Sequence, residues 1–200
     1  MERLVVWSGV DVWRAEVCRF WFGAGGIRAE GTQIGVTPLP YRMDYRLDAP
    51  DGYLTRRLEV DVTGEGWKRR LVLTADGAGA WQADTSAEGD PGLPPPGGSV
   101  EEFAGALDCD LGLCPATNLM PVVRHDLHRH PGAEDFLMAW VSVPDLGVHP
   151  SRQRYEHVRL TPDGAVVRYV GEHRDFVGEL EFDRDGVVIF YPDLARRVGG

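Results

Sequence analysis

The side chains best suited to chemistry gather between residues 105 and 124. Asp108 and Asp110 stand two apart, with Cys109 between them, and Cys114, Thr117, Asn118 and Arg124 follow. On a strand, side chains two apart leave the same face about 7 Å from one another. Carboxylates so placed suit acid and base work, or, with Asn118, offer oxygen ligands to a hard cation. The same residue types also fix turns by bonding backbone amides, and Pro115 and Pro121 bound such a turn here. No nucleophile with an adjacent base stands in the segment.

Two further groups are polar. His125, His128 and His130 form an H-x2-H-x-H run that leads into Pro131-Gly132. Metal binding needs imidazoles that converge with a fixed set of outer partners, whereas a run ending in a turn reads as an exposed hairpin end. Gln153, Tyr155 and His157 fall on one side of a strand, with His149 upstream; they line a cavity or form a solvated face. The G-x-S-x-G elbow, the P-loop, H-E-x-x-H and C-x-x-C are all missing from the sequence. Neither a metal nor a cofactor is expected.

Composition narrows the partners. A formal net charge of −10, with Lys68 the only lysine, leaves no basic stripe for nucleic acid or for an anionic membrane. Three cysteines cannot build a disulfide framework, and the C-x4-C pair lacks the four ligands of a zinc site. The N-terminus carries no basic-then-apolar leader, and no apolar run reaches the ~18 residues of a membrane span. The expectation is a cytoplasmic chain without integral membrane association, acting as a monomer or homodimer.

The elements that must position these groups read as strands. Residues 41–48 alternate strictly: Tyr41, Met43, Tyr45 and Leu47 share one face, Arg42, Asp44, Arg46 and Asp48 the other. Strand patterns recur at 16–22, 53–63, 67–74, 79–83, 119–127, 136–143, 155–160, 165–170, 176–182 and 187–191, separated by Gly-containing and Asp-Gly turns. Gly23-Ala24-Gly25-Gly26 is one such turn. The loop 85–99 holds Pro91, Pro94, Pro95 and Pro96 and no apolar period, and Ser99-Val100-Glu101-Glu102 has capping-box form. No helical stripe outlasts two turns. An all-β, single-domain antiparallel meander over residues 1–200 is predicted, with Pro144-Asp145-Leu146 faintly echoed by Pro192-Asp193-Leu194.

Several runs together resemble the putative glycolipid-binding protein family, long catalogued as a bacterial domain of unknown function. They include Tyr45-Arg46-Leu47-Asp48, Gly79-Ala80-Trp81, Leu107-Asp108-Cys109-Asp110-Leu111, Pro115-Ala116-Thr117-Asn118-Leu119-Met120-Pro121 with Arg124, Ala139-Trp140-Val141 and Gln153-Arg154-Tyr155. The resemblance spans nearly the whole chain. It departs at Leu113-Cys114, in the proline-rich stretch 91–98 and in the histidine run.

That resemblance implies a spiral, barrel-like β-roll with internal duplication and few short helices, similar to bacterial lipoprotein carriers. It also implies a non-catalytic lipid or glycolipid binder that holds an amphiphile in a cavity of the roll. Acyl chains need an apolar channel, worth ~0.8 kcal/mol per buried CH2, and the head group needs a few placed polar groups. Asp108, Asp110, Asn118, Arg124, Gln153 and Tyr155 are the candidates for the polar end, and Trp81 and Trp140 for the apolar wall. The alternatives are a hydrolase or isomerase acting on a small sugar or lipid through Asp108 and Asp110, and an interaction module using an exposed sheet edge.

Overall fold

The computed structural model describes residues 1–171 and 175–200. The chain begins in the middle of its own sheet. Strands β1 (Glu2–Gly9), β2 (Arg14–Gly23), β3 (Gly26–Gly35), β4 (Tyr41–Ala49), β5 (Arg57–Gly64), β6 (Trp67–Ala75) and β7 (Trp81–Glu88) meander outward to one edge. The chain then crosses to the opposite edge at β8 (Asp108–Leu111). It meanders back through β9 (Ala133–Val141), β10 (Val148–Leu160), β11 (Gly164–Gly171), β12 (Phe176–Asp183), β13 (Val188–Tyr191) and β14 (Ala195–Gly199). There β14 pairs antiparallel with β1, so the two meanders form one 14-stranded sheet. The all-β, duplicated roll is what the chain adopts, as a curled sheet rather than a closed barrel.

Alternation sets the faces. In β4 every odd residue from Tyr41 to Leu47 is buried, and Arg42 and Arg46 are exposed. The buried residues of both halves merge into one core, from Val5, Trp7 and Phe20 to Phe182 and Val188. The curl brings the far edges toward each other. The crossing connection closes the gap with a bridge between Gly97 and Gly147 and bonds from Gly105 N to Gly79 O (2.8 Å) and Thr55 N to Leu107 O (3.1 Å).

Three local expectations differ from what is found. β8 joins β9 in parallel, while the other strand pairs described are antiparallel. Strand β7 runs to Glu88, so the loop expected from residue 85 begins later. Residues 119–127 are no strand: α1 (Leu119–Arg124) is a short helix, and turns follow it. Short apolar runs carry no period that separates strand from buried helix. Pro121 sits in the first turn of α1, where its missing N–H is one of the four without an intrahelical partner. A helical turn does form at Val100–Phe103, but Ser99 bonds the Glu101 carboxylate (2.6 Å) instead of capping the backbone.

A carboxylate staples the seam. Asp183 of β12 accepts from Arg3 of β1 (2.9 Å), Arg197 of β14 (2.5 Å) and the Val187 amide (2.9 Å). Burial by itself would raise its pKa, but these donors overrule it and the net direction is down. Its stabilising contribution is therefore present above the ordinary value of 3.8 and is lost as pH falls through the lowered one. Asp183→Asn should cost about 2–4 kcal/mol near neutrality in urea unfolding, with the difference from wild type shrinking in acid. An unchanged midpoint would mean that the staple carries no load.

Candidate functional site

The segment between β8 and β9 lies inside the curl. From β8 the chain turns at Leu113, which has φ +61°, then enters a 3-10 turn over Pro115–Asn118 and α1. Its residues from Asp108 to Leu111 and from Cys114 to Val122 are buried, so each polar side chain there needs a partner.

Asp110 and its neighbours form a relay. Its Oδ2 accepts from Gln153 Nε2 (2.7 Å) and its Oδ1 from the Thr117 hydroxyl (3.0 Å). Gln153 Oε1 accepts from the Tyr155 hydroxyl (3.2 Å), which accepts in turn from Asn118 Nδ2 (2.8 Å). Four residues expected at the site, Asp110, Asn118, Gln153 and Tyr155, thus meet in one network, joined by Thr117. Burial pushes the Tyr155 phenol well above its ordinary value, so it stays protonated. At the rim, Asp110, Asn118 and Trp140 line a small opening together with Leu113, Cys114, Tyr191 and Leu194. The half-buried Trp140 ring lies 5.9 Å from that of His149.

The other expected residues are placed elsewhere. Asp108 leaves the same strand but is held by both terminal nitrogens of Arg124 (2.7 and 2.5 Å), and Arg124 also reaches Tyr53 O (3.3 Å). This bidentate pair is consumed within the protein and does not line the opening. Trp81 is a core residue: its Nε1 donates to Ala106 O (2.8 Å) and its ring meets Phe103 edge-on. The histidine run is split: His125 and His130 are exposed in the turns that follow α1, as expected of a polar chain reversal, but His128 points inward. His128 is 1% exposed, its pKa lowered mainly by burial, and His125 caps α1. No group of three or more residues able to hold a metal ion occurs among the described residues.

The hollow expected for an acyl chain is not found at this site. The opening beside Asp110 measures about 10 Å³, roughly the space of one water. Larger clefts lie on the outer face of the sheet, about 650 Å³ over β1–β6 and about 410 Å³ over β9–β11. Aromatic and aliphatic side chains from both halves fill the interior instead.

A second buried network escaped the sequence reading. Glu16 of β2 accepts from the Tyr45 hydroxyl (2.7 Å), the Cys114 thiol (3.0 Å) and Gln33 Nε2 (3.0 Å), while Tyr41 donates to Gln33 Oε1 (2.6 Å). Gln33 also donates to Leu113 O (2.8 Å), and Arg14 to Leu194 O (2.6 Å), which ties this network to the rim of the opening. The available signal was the spacing Arg14-x-Glu16-x-Cys18-x-Phe20, a face that turns inward although it starts with two charges. Burial raises the thiols of Cys18 and Cys114 well above their ordinary value and that of Cys109 to about 12, which keeps them protonated.

Burial also raises the Glu16 pKa, against the opposing pull of Cys114, Tyr45, Gln33 and Arg14. An acid whose folded pKa lies above its unfolded one favours the folded state in its protonated form. Its contribution therefore falls as pH climbs from 4.5 through the raised value. Urea unfolding of wild type and Glu16→Gln between about pH 4 and about pH 8 checks this. The wild type should lose stability relative to the variant across that interval; parallel profiles would show that Glu16 ionises as it does in the unfolded chain.

Comparison with known proteins places these features in context. Residues 4–197 match the model of a family described as putative glycolipid-binding. A crystal structure of a DUF1089 family protein from Pseudomonas aeruginosa superimposes with a TM-score of 0.71 at 27% identity, over 96% of this chain and 94% of that one. No curated protein matches the chain. No helix is long and apolar enough to cross a membrane among the described residues.

Proposed function

The chain belongs to the putative glycolipid-binding family, and we propose that it binds the sugar head of a glycolipid, without catalysis, on the surface around Trp140, with one sugar hydroxyl entering the small opening that Asp110, Asn118 and Trp140 line. The observation that carries this reading is the relay whose Asp110 and Asn118 line one opening with Trp140. A sugar hydroxyl both donates and accepts, so it suits a carboxylate beside a carboxamide. An indole offers the apolar face of the sugar ring a flat partner with a polar edge. Gln153, Thr117 and Tyr155 serve as positioning residues, holding Asp110 and Asn118 in fixed rotamers before any ligand arrives.

The acyl chains then lie along the rim. Val10, Trp13, Ile34 and Val36 are 41–60% exposed. They sit where Val10 N bonds Leu194 O and where β3 ends beside Gln33. A single carboxylate at the opening supports binding over hydrolysis. Paired-carboxylate glycoside chemistry needs two groups facing one cleft, and Asp108 is taken by Arg124. The ligand class separates this reading from an interaction module, which would present an apolar face and no polar recess.

Native mass spectrometry of protein purified gently from its own cells provides the test. A co-purified species with the mass of a glycolipid is expected. Asp110→Asn, which keeps the shape and one acceptor, should lower its occupancy about tenfold, the equivalent of one lost charged hydrogen bond. Its new amide NH2 must face Gln153 Nε2 or the Thr117 hydroxyl, so the melting temperature should fall too, and occupancy is compared where both proteins are fully folded. Bare protein under conditions that preserve lipid carriers, or full occupancy in the variant, would sink the reading.

A further inference from the structure

The wide cleft on the outer face of the first meander is built from different residues and bears on a different ligand contact. One row of cross-strand neighbours runs through it: Val17, Thr32, Asp44, Asp61 and Arg70 stand opposite one another in register from β2 to β6. Along that row the surface changes from aliphatic, through hydroxyl, to charged. Leu4 widens the aliphatic bank, and it and Val17 are 50% and 38% exposed. The floor has a physical cause. The Tyr45 ring packs under Gly31, where a Cβ would fall 2.3 Å from it. A glycine covered by a cross-strand ring lets a strand bend, and Gly31 and Tyr45 both line the cleft.

The charges in the cleft are spent on one another. Arg70 donates to Asp61 (2.6 Å) and Glu59 (2.8 Å), Asp44 accepts from Thr32 (2.6 Å) and Arg42 (2.9 Å), and Arg46 lies 3.6 Å from Glu30. Three arginines and four carboxylates line it in all, so it presents no surplus large enough to hold an ion. An ionic ligand would have to break these pairs. A neutral polyol would not, because each hydroxyl can donate to a carboxylate lone pair and accept from a guanidinium edge at once. The volume of about 650 Å³ lies within the ~300–1,000 Å³ range of small-molecule sites.

We propose that this outer cleft is a second binding site, separate from the Asp110 opening, for a neutral glycoside. The sugar lies over Thr32, Asp44, Asp61 and Arg70, and the apolar aglycone lies along Leu4 and Val17. The proposal stands on the cleft alone and does not require the Asp110 opening to bind anything.

Amide chemical-shift titration with methyl β-glucoside and with octyl β-glucoside below its micelle threshold tests it. Saturable shifts at Val17, Thr32, Asp44 and Asp61 are expected. The octyl compound should bind about tenfold more tightly than the methyl one, as burial of about two methylenes would give. Asp61→Asn is surface-exposed and should fold; it should weaken both ligands about fivefold or more, whereas Asp110→Asn should leave these shifts unchanged. The proposal is overturned by shifts confined to residues around Asp110 and Trp140, by shifts that never saturate, or by equal affinity in Asp61→Asn. Shifts at both places would support the two sites independently.

Discussion

A polar segment threads the inside of a curled sheet, and its side chains have to find partners where water does not reach. Leaving one buried donor or acceptor unpaired costs about 1–3 kcal/mol, more when it is charged. The segment from Asp108 to Arg124 meets that demand by recruiting both halves of the roll. Asp108 takes Arg124 from its own segment. Asp110 takes Gln153 from the second meander. Cys114 takes Glu16 from the first, and Leu113 O takes Gln33. Each half therefore supplies partners to the one segment that lies between them.

This constraint explains why the candidate site is rigid and small. The relay fixes the rotamers of Asp110 and Asn118, and it also fills the space an acyl chain would need. The roll thereby separates two kinds of surface. The narrow polar opening lies where the meanders meet. The broad concavities, by contrast, lie outside, over β1–β6 and over β9–β11. The seam follows the same logic, with Asp183 tying β1 and β14 to β12 through charged donors.

Much of this was legible in the sequence. The strict alternation at 41–48 predicts which side chains of β4 are buried, because one face of that strand is apolar and the other fully charged. For Asp108 and Asp110 the sequence leaves a strand and a proline-bounded turn open, and both residues lie on the strand Asp108–Leu111. The strand β2 was harder. Its inward face carries Arg14 and Glu16, and its outward face carries Val17 and a half-exposed Trp21, so local hydrophobicity points the wrong way. Only the long-range pairing of Glu16 with Tyr45, Gln33 and Cys114 makes that face the inner one, and no short window of sequence contains it. The same holds for the division of labour between the two aspartates. Arg124 lies sixteen residues from Asp108 and Gln153 forty-three from Asp110, and the helix that brings Arg124 back reads as a strand from its apolar run.

If the crossing segment joins the two meanders into one structure, they must open together. Native-state amide hydrogen exchange reads this directly, since it reports the free energy of opening for each strand. Buried amides of β4 and β5 in the first meander, of β10 and β11 in the second, and of the Asp108–Leu111 strand should exchange only through global unfolding, with one common free energy. Exchange of the second meander at a distinctly lower free energy, while the first stays protected, would show two independent halves and contradict the account.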